Sequence, residues 1–121
     1  MAAHAGKITG MVEASEGRLA TVGWDNTLRL WDLRKGKALY EIETTERLDV
    51  IAGGHHVVVT GSDCGTITAW HSDTGESVAR WTASAAISAL TMTSSPDGQR
   101  VVLAGDTSGN VHVLELRNLN P

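Results

Sequence analysis

Apolar residues along this chain come in short blocks rich in Val, Ile, Leu, Thr and Ala, and no segment holds them at helical spacing between a start and a stop signal. The blocks are separated by SEG, WDN, RKGK, AGGH, DCG, DTGE, SPDGQ and TSGN, each carrying the Gly, Asn, Asp or Pro that tight turns require. The pattern predicts an all-β chain, with strands near residues 8–14, 18–23, 27–33, 38–44, 48–52, 56–61, 66–71, 77–83, 87–93, 100–105 and 110–116. After Leu116 only RNLNP remains, too short and too proline-terminated for a further strand.

The blocks are copies of one unit. Aligning LATVGWDNTLRLWDL (19–33) with VVTGSDCGTITAWHS (58–72) pairs Thr21 with Thr60, Thr27 with Thr66 and Trp31 with Trp70. A third copy, VLAGDTSGNVHVLEL (102–116), keeps the strand, glycine turn, strand pattern but has Leu114 at the tryptophan position and Glu115 at the aspartate position. The spacings between copies match the four-stranded, roughly 40 to 45 residue blade of a β-propeller.

The segment HAGKITGMVEASEGRLATVGWDNTLRLWDL (4–33) resembles a complete unit of the WD-repeat family, from its histidine to its Trp-Asp, and SSPDGQRVVLAGDTSGNVHVLEL resembles the family's Ser-Pro-Asp-Gly turn with the two strands that follow. The resemblance implies a partial propeller of three four-stranded antiparallel blades, the last with three strands. The blades would span about 4–44, 45–83 and 84–117 of residues 1–121. It also implies that His4, Thr21, Asp25 and Trp31 form a buried hydrogen-bonded chain. Elementary chemistry agrees: a packed indole N–H needs an acceptor, and a hydroxyl can accept it while donating onward to an imidazole held by a carboxylate. The rival reading of His4, Asp25 and Thr21 as a catalytic triad lacks an oxyanion-hole motif or a nucleophile elbow. No catalytic residue is therefore expected.

The second unit departs from the pattern. Cys64 takes the aspartate position, His71 follows Trp70, and no histidine lies near Glu43–Glu46, so apolar packing is expected to hold that blade and Cys64 to be a small buried hydrophobe. Cys64, His55, His56 and His71 lack the ligand spacing of a zinc site, and no metal is expected. AWHSDTGESVARW (69–81) also resembles the tryptophan-docking motif of quinoprotein propellers, but the calcium-binding acidic residues and further blades of such an enzyme are not evident. A propeller enzyme of quinoprotein or hydrolase type is the alternative reading. The glycine-rich pieces lack the lysine and following helix of a phosphate-binding loop, and no cofactor is expected.

The charge of −4 is spread without blocks, which argues against nucleic acid or an anionic membrane as partner. No window approaches the roughly 18 apolar residues of a spanning helix, the opening residues do not read as a secretory leader, and the single cysteine cannot form an internal disulfide. A cytoplasmic protein is expected. Trp24 falls in the turn between the second and third strands, on the propeller rim, with Asp63 and Thr107 at the corresponding positions and Lys7, Arg47 and Ala86 before the first strands. The function expected is a non-catalytic scaffold or sensor segment that binds a protein or peptide across this loop face through Lys7, Trp24, Arg47, Asp63 and Thr107. The ending DTSGNVHVLELRNLNP resembles the close of a propeller in the terminal sensor region of bacterial signalling NTPases of the apoptosome-like class. Three blades do not close a ring of 4 to 8, so the remaining blades are expected on the same natural chain, on a partner chain or in further copies.

Overall fold

The computed structural model describes residues 4–94 and 96–116, in which all regular structure is β-strand. The first sheet holds β1 (Ile8–Ser15), β2 (Arg18–Gly23), β3 (Thr27–Asp32) and β4 (Lys37–Glu43). The second holds β5 (Leu48–Gly54), β6 (Val57–Ser62), β7 (Thr66–His71) and β8 (Glu76–Thr82), and the third β9 (Ile87–Ser94), β10 (Arg100–Asp106) and β11 (Val111–Leu116). Each sheet is an antiparallel meander in chain order. The RNLNP segment, and with it the expected end of the third blade at 117, lies outside the described residues.

The turns set the repeat. In all three sheets the second and third strands are joined by a turn whose third residue has a left-handed backbone: Asn26 at φ 64°, Gly65 at 89° and Gly109 at 87°. Each of these N–H groups donates to the last residue of the preceding strand, Gly23, Ser62 and Asp106. Only glycine, or a short polar residue such as asparagine, adopts that conformation at low cost. The register that follows is the same in each copy, with Thr21 opposite Arg29, Thr60 opposite Thr68 and Ala104 opposite His112. The pairing with the fourth strand slips immediately before the tryptophan in both complete sheets, at Leu30/Trp31 and at Ala69/Trp70.

The core is two layers between three sheets. Ala14, Ala20, Val22, Leu28 and Leu30 of the first sheet pack on Leu48 and Val58 of the second, with Tyr40, Ile42 and Trp70 closing the edges. Val57, Val59, Ile67 and Ala69 on the second sheet's other face pack on Ile87, Val102, Ala104 and Leu116 of the third. The second sheet is thus apolar on both faces, and β6 is buried along its whole length. The first strands β1, β5 and β9 lie side by side. Gly61 allows a close approach between the second and third sheets: a Cβ there would come within 2.6 Å of the Ile87 side chain.

Candidate functional site

On the outer face of the first sheet, β2 and β3 bring Thr21, Asp25 and Trp31 under His4. The Trp31 indole N–H donates to Thr21 Oγ1 at 3.0 Å, and Thr21 Oγ1 lies 2.7 Å from His4 Nε2. His4 Nδ1 is 2.9 Å from Asp25 Oδ1. An ionised carboxylate only accepts, so in the neutral imidazole Nδ1 carries the proton and the Thr21 hydroxyl donates to Nε2. Thr27 donates its hydroxyl to Asp25 Oδ1 at 2.8 Å, and the Ala5 N–H donates to Oδ2 at 3.0 Å. Burial opposes ionisation of Asp25, but the bonds from His4, Thr27 and Ala5 outweigh it and hold its carboxyl at about 2. Thr21 is 3% exposed and its hydroxyl is engaged as both acceptor and donor, so the triad-like grouping presents no accessible nucleophile.

The second sheet is wired differently, and it is not held by apolar packing alone. The Trp70 indole still donates to Thr60 Oγ1 at 3.0 Å. The carboxylate comes from Glu46, in the connection between β4 and β5, which accepts the Ser62 hydroxyl and, at 3.2 Å, that of Thr66. Ser62 replaces Gly23 and takes over the turn, accepting the N–H groups of Cys64 at 3.2 Å and Thr66 at 3.0 Å. With its place in the network taken, Cys64 is exposed rather than buried. Desolvation, with the negative charges of Asp63 and Glu46, raises its thiol pKa, which is the opposite of a reactive thiolate. His55 and His56 form the β5–β6 turn with φ of 52° and 69°, and His56 Nδ1 is 3.2 Å from Asp73 Oδ1. They are turn residues and are not gathered with Cys64 and His71.

Sequence reasoning missed a third arrangement. Asp106, at the position of Gly23 and Ser62, accepts the N–H groups of Ser108 at 2.9 Å and Asn110 at 3.0 Å, and its Oδ2 is 2.9 Å from His112 Nε2. The His112 bond, with those backbone donors, holds the Asp106 carboxyl at about 2. The available signal was an Asp that ends a strand before a turn, with a His two residues into the next strand.

The residues expected to bind a partner sit at equivalent places on one rim. Trp24 N–H donates to Lys7 O at 2.8 Å, Asp63 N–H to Arg47 O at 3.0 Å and Thr107 N–H to Ala86 O at 2.9 Å, one bond per sheet. Trp24 is 48% exposed. Lys7 Nζ lies 5.0 Å from its ring centroid and the Arg47 guanidinium 5.1 Å, so the indole contacts a cation from each of two sheets. Arg47 also pairs with Asp49 at 3.0 Å and lies 4.0 Å from Asp63. The rim therefore carries one half-exposed aromatic among charges of both signs.

Comparison with known proteins agrees with this geometry. Residues 1–32 match the WD domain, G-beta repeat family. No curated protein matches the sequence. Among solved structures, the computationally designed Ika8 protein superposes with a TM-score of 0.78 at 19% identity, over 93% of this chain and 34% of that one. U3-55K superposes with a TM-score of 0.73 at 16% identity, over 97% of this chain and 42% of that one. The chain thus spans well under half the length of either. Residues 1–32 thus match one WD40 repeat, and the three sheets together share the fold of both solved structures.

Proposed function

We propose that the chain is three blades of a non-catalytic propeller platform that holds a protein or peptide against its loop face, with Lys7, Trp24, Arg47, Asp63 and Thr107 at the contact. The observation that carries this reading is Trp24, a large aromatic that stays half-exposed while Lys7 and Arg47 fix its orientation. A pre-oriented aromatic loses little freedom on binding, and such residues dominate the energetics of interfaces. The engaged hydroxyl of Thr21 supports the non-catalytic part. The small share of the matched structures' lengths that the chain covers supports further blades, on the same natural chain, on a partner chain or in further copies.

The test uses a peptide selected from a random library for binding to the protein. Trp24→Ala should weaken it by about 2 kcal/mol, roughly 30-fold, without changing the unfolding midpoint. Lys35→Ala, in the β3–β4 turn at the opposite end of the strands, should leave affinity unchanged. Undiminished affinity in Trp24→Ala would reassign Trp24 to blade packing and remove the loop face from the proposal.

A further inference from the structure

In the first sheet His4 is surrounded by Thr21, Gly23, Asp25 and Thr27, with its Nδ1 3.2 Å from where a Gly23 Cβ would lie. The matching place in the second sheet is a cavity of about 190 Å³ bounded by Thr60, Ser62, Thr66, Thr68, Trp70 and Glu46. Thr60 is 1% exposed and accepts the Trp70 indole N–H. Thr21 passes its own proton on to His4, but the Thr60 hydroxyl has no acceptor among the described residues. Across the cavity the Glu46 carboxylate takes the Ser62 and Thr66 hydroxyls, which leaves lone pairs free, since a carboxylate accepts about four bonds.

We propose that this cavity binds a small neutral group with one hydrogen-bond acceptor and one donor on opposite sides, of which imidazole is the type. The acceptor nitrogen takes the Thr60 proton and the N–H is given to Glu46, as His4 does between Thr21 and Asp25. Size permits it, because a cavity of about 150 Å³ already holds a benzene ring. Charge favours the neutral form on two counts. Imidazolium has two donors and no acceptor, so it leaves Thr60 unanswered. Arg80 at the rim, 3.8 Å from Glu46, offsets the carboxylate and disfavours a cation. The site is independent of the loop-face reading and can fail without it.

The test is a titration of the protein with imidazole, at a pH where it is neutral, followed by NMR of the indole N–H signals. The Trp70 signal should shift saturably with a Kd on the order of 1 mM, as befits a ligand of so few atoms, while Trp31, whose threonine is already occupied by His4, stays in place. Thr68→Ile, which fills the cavity from a half-buried position, should abolish the shift, with the Trp31 signal and the unfolding midpoint reporting an intact fold. N-acetylhistidine amide separates the sources. A response to it extends the ligand to a protein's histidine side chain, and a response to imidazole alone restricts it to free heterocycles. Three results would overturn the proposal: a Trp70 signal that never moves, as for a cavity that holds only water; equal movement of Trp31 and Trp70; or unchanged binding in Thr68→Ile.

Discussion

Thr21 illustrates how one hydroxyl organises several residues, since it accepts from Trp31 and donates to His4, whose other nitrogen is held by Asp25. Removing any member leaves a buried polar partner unsatisfied, at about 1–3 kcal/mol. Asp25→Ala should therefore lower stability by about that amount at pH 7, measured by denaturant unfolding. The pH dependence has a definite sign. The folded carboxyl at about 2 lies below its ordinary range near 4, so the stabilisation is complete above about pH 4 and is lost as the pH falls toward 2. The gap between wild type and Asp25→Ala should narrow across that window. A gap that stays constant down to pH 2 would mean that the carboxylate is not the stabilising form. These four residues were legible in the sequence because they match, position for position, the chain that the WD-repeat resemblance implies. Glu46 was not, because it enters the network from the connecting segment and acts through Ser62, a residue that in the first repeat is glycine.

The same element position is solved in three ways. The end of the second strand is Gly23 under an imidazole, Ser62 under a glutamate, or Asp106 beside His112. In each case the N–H of the residue four positions on, Thr27, Thr66 or Asn110, finds a side-chain oxygen, from Asp25, Ser62 or Asp106. The turn's need for an acceptor is thus constant while its supplier changes. Strand positions were readable to within about two residues because every turn announces itself with glycine, asparagine or aspartate. The expectation of purely apolar packing in the second blade failed because a repeat pattern scores residues at aligned positions, and the replacement carboxylate comes from elsewhere. Glu46→Ala should destabilise the protein by about 1–3 kcal/mol, comparably to Asp25→Ala, because the buried Ser62 hydroxyl loses its acceptor. A neutral outcome in thermal unfolding would restore the apolar account.

At the scale of the whole molecule, the two ends of the stack are unlike. The first sheet's outer face carries Met11, Leu19, Trp31 and Leu39 around the His4 network, with Arg29 bonded to Glu41 at 3.2 Å, so it is of mixed character. The third sheet's outer face carries Val111 and Val113, 73% and 66% exposed, beside Val101 and Leu103. A surface of that kind on a soluble protein marks an association site. Light scattering on the 121-residue chain should show association and apolar-dye binding, both reduced in Val111→Lys/Val113→Lys. A dye-free, cooperatively unfolding monomer would mean that neither face needs a neighbour. Within the stack, the face bearing Leu28 and Leu30, or Ile67 and Ala69 in the second sheet, meets the next sheet's face bearing Trp70 and Thr60, or Leu114 and Ala104 in the third, and the two ends expose one face of each sort. Addition is therefore directional, like coupling railway carriages with a different fitting at each end. Units that join in this way form a ring only if the rotation per blade divides the circle, and otherwise run on as a filament. The close approach of Ile87 to Gly61, which sets how the third sheet lies on the second, thus bears on whether an assembly of such blades is finite or endless.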